Sequence, residues 1–272
     1  MRDAYVHGYD AHESRRLHDQ ARTLADLLHQ DTRYPPGSTV IEVGCGVGAQ
    51  TVTLAAMSPG ARILAVDISD DSVAQARARV EAAGLTNVAL ARGDLLALPY
   101  PDGSFDHAFV CFVLEHLPDP AAALAVLRRL VRPGGTVTAI EGDHGSVLAH
   151  PDDPTAHEAI AAQVELQRRA GGDALIGRRL GPLLRAAGFS DVRVSPRVVH
   201  AEASRPELVE GFTRCTFTAM IEGVRAPALA AGLIAPERFD AGIRALERTT
   251  EPDGTFSYTF FKATGVRADP AW

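Results

Sequence analysis

Apolar residues recur at helical spacing in SRRLHDQARTLADLLHQ (residues 14–30), where Leu17, Ala21, Leu24 and Leu27/Leu28 share one face. That spacing predicts an amphipathic helix. Tyr34-Pro35-Pro36-Gly37 breaks it, and from Thr39 the pattern changes. Short apolar runs at Thr39–Val43, Ile63–Asp67, Val88–Arg92, Phe105–Phe112 and Thr136–Glu141 lack strict alternation, as strands buried on both faces do. Helical stretches lie between them at Gln50–Ala56, Ser72–Ala83 and Ala121–Val131. Gly84 closes one helix, and Pro133-Gly134-Gly135 separates another from the fifth strand. Such alternation predicts a parallel sheet with right-handed crossovers.

The later chain is more helical. Residues 154–187 read as two helices split by Gly171-Gly172, and Val192–Val199 reads as a strand. Residues 206–248 read as a helical insert interrupted at Pro227 and Pro236. TFSYTFFKAT (Thr255–Thr264) is rich in β-branched and aromatic residues and predicts a last strand, with a loose tail after Gly265. The expected organisation is an N-terminal helical lid (1–34), a core (35–144), a helical insert (145–180), a core helix and strand (181–200), a helical cap insert (201–250), the last core strand (251–265) and a tail (266–272).

Composition narrows the function. Apolar residues make up 46% of the 272 and charged residues 22%, enough for a core and against wholesale disorder. The net charge is −7 and no basic stripe appears, so duplex nucleic acid is not an expected partner. No stretch reaches 18 apolar residues, and the first 30 carry charges throughout, so neither a membrane span nor a secretion signal is expected. Cys45, Cys111 and Cys215 form no CxxC pair and no zinc spacing, which fits a reducing, cytoplasmic setting without a metal. Lys262 is the sole lysine among 27 basic residues, and the Arg, Ala and Gly usage points to a GC-rich bacterial genome.

The chemistry centres on residues 41–49, Ile-Glu-Val-Gly-Cys-Gly-Val-Gly-Ala. Gly44, Gly46 and Gly48 stand between a strand and a helix, where glycine lets the backbone turn tightly and approach a ligand. The helix behind them offers unpaired N–H groups. Asp67 ends the next strand, where a carboxylate accepts the hydroxyls of a ribose. The loop alone also fits a nicotinamide dinucleotide, since Gly44-x-Gly46-x-x-Ala49 satisfies that fingerprint. Glu42, inside an apolar strand, is expected to brace the loop, because a buried carboxylate needs hydrogen bonds. Gly93-Asp94-Leu95 follows the third strand, where a purine amino group would find a carboxylate.

Together EVGCGVG (42–48), AVDIS (65–69), RGDLLALPYPDGSFD (92–106), FVCFVLEHLPDP (109–120) and LRRLVRPGGTVTAIEGD (127–143) resemble the class I S-adenosylmethionine-dependent methyltransferases. The likeness is strongest to the ubiquinone/menaquinone-type and small-molecule branch. It implies an α/β, Rossmann-like, mostly parallel sheet with an antiparallel last strand, plus an N-terminal helical arm and helical cap inserts. It implies S-adenosylmethionine as cofactor and S-adenosylhomocysteine as product. By the same resemblance Gly44, Gly46 and Gly48 line its amino-acid and ribose parts, and Asp67 binds the ribose hydroxyls with Ile68 against the adenine. Asp94 takes the adenine amino group beside Leu95, and Cys111 to Phe112 face the methionine part. Glu42, Gln50, Tyr9 and Gln20 complete the expected contacts, with Arg16 a further candidate for the carboxylate.

Methyl transfer from a sulfonium needs alignment, exclusion of water and, for a hydroxyl or carbon nucleophile, removal of a proton. Glu141-Gly142-Asp143-His144-Gly145 follows the fifth strand, and Gly142 and Gly145 suggest an unusual backbone path there. His144 titrates near neutrality and is the expected base, with Asp143 or Glu141 to orient it. Tyr9, in Tyr5-x-His7-Gly8-Tyr9-Asp10-x-His12, suggests a lid that orders on binding. Phe212, Phe217, Met220 and Ile221 suit either an acceptor pocket or plain core packing. The expected acceptor is a small aromatic or heteroaromatic metabolite, methylated at carbon, nitrogen or oxygen, and a homo-oligomer is compatible with the second insert. Two other readings stay open: an NAD(P)-dependent oxidoreductase on the same loop, and a non-catalytic cofactor-binding module.

Overall fold

The structure, a computed structural model, describes residues 23–268. Of the expected N-terminal helix, residues 23–29 are described and helical. Tyr9, Gln20, Arg16 and the rest of the expected lid before residue 23 lie outside the described residues.

Seven strands form one sheet: β1 (Thr39–Val43), β2 (Arg62–Asp67), β3 (Val88–Arg92), β4 (Phe105–Cys111), β5 (Val131–His150), β6 (Phe189–Ala201) and β7 (Thr255–Arg267). Their order is β3-β2-β1-β4-β5-β7-β6. β3 through β5 pair in parallel, with Glu42 of β1 level with Ala65 of β2 and Phe109 of β4. β7 runs the other way. Arg267 at its end donates to Val131 O at the start of β5, and Val266 O receives the hydroxyl of Ser190 at the start of β6. The strand order reverses between β1 and β4, the switch point at which open α/β sheets bind ligands.

The longer helices are α1 (Ala49–Met57), α2 (Asp70–Ala82), α3 (Pro120–Leu130), α4 (Pro154–Arg169), α5 (Leu180–Ala186) and α6 (Pro236–Arg248). Ser69, Asp119 and Asp153 accept first-turn N–H groups of α2, α3 and α4. Pro120, Pro154 and Pro236 each occupy a first helical position, where no N–H is needed.

By contacts the chain divides into two units. One holds Leu28–Glu141, Ile176–Pro196 and residues 261–268. Its core is aliphatic, with Ile41, Val110, Leu124, Leu127, Val137 and Leu180 each fully buried. The other holds residues 23–27, Gly142–Leu175 and Arg197–Phe260. In it α6 buries Phe239, Gly242, Ile243 and Leu246 at helical spacing, and a Cβ on Gly242 would lie 2.5 Å from Thr155 O of α4. Glu158 of α4 pairs with Arg238 of α6.

The structure departs from the sequence reading in four places. β5 runs from Val131 to His150 and not from 136 to 141. Pro133-Gly134-Gly135 bulges within the ladder, with Phe105 paired to Val131 and His107 to Thr136. Glu141–Gly145 is therefore strand, and neither Gly142 nor Gly145 has a positive φ. Pro227 does not interrupt a helix, because it sits in the first turn of the short helix Arg225–Ala230, whose N–H groups lack intrahelical partners anyway. Residues Val209–Thr218 form a π-helix, so Phe212 and Phe217, five apart, fall on one face where a 3.6-residue period would separate them. Finally, β7 continues past Gly265 to Arg267, whose guanidinium donates to Arg129 O and Val131 O.

Candidate functional site

The loop after β1 turns through three left-handed glycines, with φ of 68° at Gly44, 52° at Gly46 and 79° at Gly48. Two of them have distinct reasons to be glycine. A Cβ on Gly48 would lie 2.9 Å from Cα and Cβ of Ala76, so this glycine lets α1 pack against α2. Among the described residues a Cβ on Gly46 would meet nothing within 4 Å, which leaves room for a ligand to approach the backbone. Gly48 caps α1 without a side-chain hydrogen bond, so no capping side chain takes up the first-turn N–H groups. Gly48→Ala is expected to cost about 1–2 kcal/mol, from the left-handed backbone and the Ala76 contact. Urea titration against the parent chain measures it.

Asp67 closes β2 and holds this loop. Its Oδ2 accepts the Gly46 N–H at 2.8 Å and its Oδ1 accepts the Ser69 N–H at 2.9 Å. A carboxylate has about four acceptor sites, so both oxygens retain capacity for a diol. Ile68, beside it, is 36% exposed, an apolar surface next to a charged one. Asp94, after β3, caps the turn Leu95–Ala97 through Oδ1, which accepts the Leu96 N–H at 2.9 Å.

Glu42 lies in the middle of the β1–β2–β4 ladder with 2% exposure. Burial pushes its carboxyl up to about 7; the Thr51 hydroxyl opposes this, and the charge of Asp67 adds to it. At the end of β4, Phe112 has φ of 58°, an uncommon backbone for a non-glycine residue, and its N–H donates to Ile140 O. The turn beyond it is fixed by Glu141, whose Oε1 accepts the N–H groups of Val113 at 3.1 Å and Leu114 at 2.8 Å. Glu141 is fully buried, and burial followed by the nearby Glu115 holds its carboxyl well above the usual range. Burial likewise raises the thiols of Cys45 and Cys111, which suits small packed residues and not nucleophiles.

Gln50, in the first turn of α1, meets a residue the sequence reading passed over: His29 Nε2 lies 2.6 Å from Gln50 Oε1. His29 is buried and its ring lies against Phe109. It stands at the end of the helical stretch, where an apolar-periodicity reading has no reason to stop. Lys262 is also buried, with Nζ 2.6 Å from Asp31 Oδ1 and 2.5 Å from Thr32 Oγ1.

In the other unit, Asp143 and His144 are buried at 2% and 6% exposure. Asp143 Oδ1 accepts the Gly145 N–H, and the His144 N–H donates to Ala174 O. His144 Nδ1 lies 3.0 Å from the hydroxyl of Tyr258, and its ring is flanked by Phe217 and Tyr258. Phe212 packs against Phe217, Phe256, Tyr258 and Phe260. The sequence reading missed Tyr258, although FSYTF alternates so that Phe256, Tyr258 and Phe260 share a face. Gly142 is glycine for a contact: a Cβ there would lie 2.3 Å from the Tyr258 hydroxyl. Among the described residues no cluster of three metal-ligating side chains occurs, and no helix is long and apolar enough to cross a membrane.

A family model described as a methyltransferase domain matches residues 41–139. A Streptomyces fradiae protein, an uncharacterised 37.1 kDa product of a transposon, is 37% identical over 214 residues, covering 78% of this chain. The match spans 61% of that relative, less than two thirds of its length. Demethylmenaquinone methyltransferase of Geobacillus stearothermophilus is 31% identical over 178 residues, covering 59% of this chain and 74% of the relative. A solved Bacillus halodurans structure, described as a candidate methyltransferase, superposes with a TM-score of 0.59 at 18% identity, over 90% of this chain and 99% of that one.

Proposed function

We propose, from the premise that the chain belongs to the class I S-adenosylmethionine-dependent methyltransferases, that it methylates a small aromatic acceptor. S-adenosylmethionine is the cofactor of the family, and the residues present fit it. The observation that carries the fit is the glycine loop, open at Gly46 and held by Asp67 through the Gly46 N–H. When bound, the cofactor would supply an activated methyl group on a sulfonium.

The roles of the protein follow from this. Gly44, Gly46 and Gly48 bring backbone N–H groups to the amino-acid and ribose parts. Asp67 takes the ribose hydroxyls with the acceptor sites left after Gly46 and Ser69, and Ile68 lies against the adenine. Asp94 binds the adenine amino group beside Leu95, while Cys111 and Phe112 border the methionine part. Glu42 and Gln50 brace the loop and the first turn of α1, and Glu141 sets the turn after Phe112. His144, with Asp143, meets the acceptor. The aromatic surroundings of His144 favour a flat ring, and the demethylmenaquinone methyltransferase relatives point to a quinol-type one.

The test is calorimetric titration with S-adenosylhomocysteine, with NADH and NADPH in parallel. Micromolar binding of the first alone is expected. Asp67→Ala should weaken it by about 1–3 kcal/mol, the worth of a charged hydrogen bond, or roughly 5- to 150-fold. Binding of a nicotinamide nucleotide, or unchanged affinity in the variant, would overturn the cofactor assignment.

A further inference from the structure

Taking the proposed cofactor contacts as given, we propose that Glu42 surrenders a proton to solvent when S-adenosylmethionine binds and keeps it when S-adenosylhomocysteine binds. Its carboxyl thereby tells the cationic methyl donor from the product. Position comes first. Glu42 stands two residues before Gly44. It is level with Ala65 of β2, so its side chain leaves the same sheet face as that of Asp67, two residues on. Asp67 in turn holds the Gly46 N–H. Beyond the effect of burial, the charge of Asp67 reaches Glu42, and that of Glu42 reaches the Cys45 thiol within the loop.

Hydrogen bonding sets the two carboxyl groups apart. Asp67 accepts two backbone N–H groups, which favour a charged carboxylate. Glu42 is sealed from water, and its Oε2 has no hydrogen-bond partner. A bare oxygen in a dry place favours the protonated form. Glu42 is therefore the carboxyl of the pair that carries a proton below about pH 7. Its other neighbours leave that balance in place. From β4, Phe109 is level with Glu42, and His107 and Cys111 flank Phe109 on the same face. Burial disfavours the charged forms of His107 and of the Cys111 thiol. The chain before β1 contributes Tyr34, whose charged form burial likewise disfavours, and His29, which meets Gln50 of α1. Thr51 of α1 lends a hydroxyl. The ammonium of Lys262 in β7 is held by Asp31 and Thr32.

Charge distinguishes the two ligands. S-adenosylmethionine brings a sulfonium and an ammonium against one carboxylate, a net positive charge. S-adenosylhomocysteine lacks the sulfonium and is neutral overall. A cation bound at the loop favours an ionised Glu42, since attraction is weakly screened where water is scarce. The proton goes to solvent on binding. It returns from solvent after the methyl group has left, when the charge that displaced it is gone. Affinity for the donor therefore rises with pH up to about 7, where Glu42 ionises unaided, and affinity for the product stays level. Glu42 thus selects for the charge state of the cofactor, and below pH 7 the site retains its product less firmly than its donor.

The experiment is calorimetric titration of the full chain with each ligand, from about pH 5.5 to about pH 7.5, in paired buffers of unlike ionisation enthalpy. The dependence of the heat on the buffer counts the protons released. With S-adenosylmethionine, release of about half a proton is expected near pH 6.5, and affinity should rise about tenfold across the range. With S-adenosylhomocysteine the release should be close to nil and the affinity constant within about twofold. Glu42→Gln should bind both ligands, release no proton near pH 6.5 and show no rise with pH. That variant separates the Glu42 proton from one lost by a histidine or by the ligand's own amine. Infrared difference spectra of the parent chain give a second reading that needs no variant. The C=O stretch of a protonated carboxyl should fade when S-adenosylmethionine binds and persist with S-adenosylhomocysteine. Equal proton release with the two ligands, release that survives in Glu42→Gln, or an unchanged carboxyl band overturns the proposal while the cofactor assignment stands. Failure of both ligands to bind would remove the cofactor assignment and the proposal together.

Discussion

Replacing Glu141 by alanine is expected to lower the unfolding free energy by about 3–5 kcal/mol, whereas Glu141→Gln should fall within about 1 kcal/mol of the parent chain. The contrast comes from what the carboxyl does. One oxygen receives the N–H groups of Val113 and Leu114, and the whole side chain is sealed from water. Alanine strands both donors in a dry place and leaves a cavity. Each stranded group costs about 1–3 kcal/mol. Glutamine keeps a carbonyl oxygen for them. Burial and Glu115 hold the carboxyl well above the ordinary range, which disfavours the charged form, and an uncharged amide keeps both the volume and the acceptor oxygen. Urea unfolding at pH 7 measures all three chains. Equal loss in the two variants would show that the negative charge itself is needed.

Glu42 yields the second large effect, this time in pH dependence. Its carboxyl moves from an ordinary 4.5 to about 7 in the folded chain, mainly through burial. A raised acid titrates earlier in the unfolded chain than in the folded one. Below pH 4.5 both states hold the proton and Glu42 costs nothing. Between pH 4.5 and 7 the unfolded chain ionises while the folded chain resists, so stability falls. Above pH 7 the loss levels off, at about 3 kcal/mol for this shift. Glu42→Gln cannot ionise. Its stability relative to the parent should therefore rise by about 3 kcal/mol from pH 4.5 to 7.5 and then stay flat. A difference independent of pH would mean that the folded carboxyl titrates normally.

The unit that carries the glycine loop was legible because its signals are local. Each strand from β1 to β4 is a short apolar run, and the glycines of the loop are required by their own backbone angles. Asp67 and Asp94 sit at strand ends, where sequence position fixes location in a parallel sheet. Other features were harder to read for physical reasons. β5 continues through Pro133-Gly134-Gly135 because a bulge preserves pairing that the local sequence argues against. The π-helix has a period that no 3.6-residue template detects. Gly142 suggested a bent backbone, but its reason lies 116 positions away, in the hydroxyl of Tyr258. His29 became visible only through its contact with Gln50.

The burial of Lys262 makes the chain its own reporter. It is the only lysine, 4% exposed, with its ammonium held by Asp31 and Thr32. An amine-directed acylating reagent finds no other side chain to modify. Acylation at its Nζ, read by peptide mapping so that the terminal amine is counted apart, is therefore a clock for one event, the separation of β7 from residues 31–32. Under conditions where reclosing outruns acylation, the labelling rate divided by that of the unfolded chain gives the open fraction directly. The chain thus carries a single-site gauge of local opening, with no label to engineer.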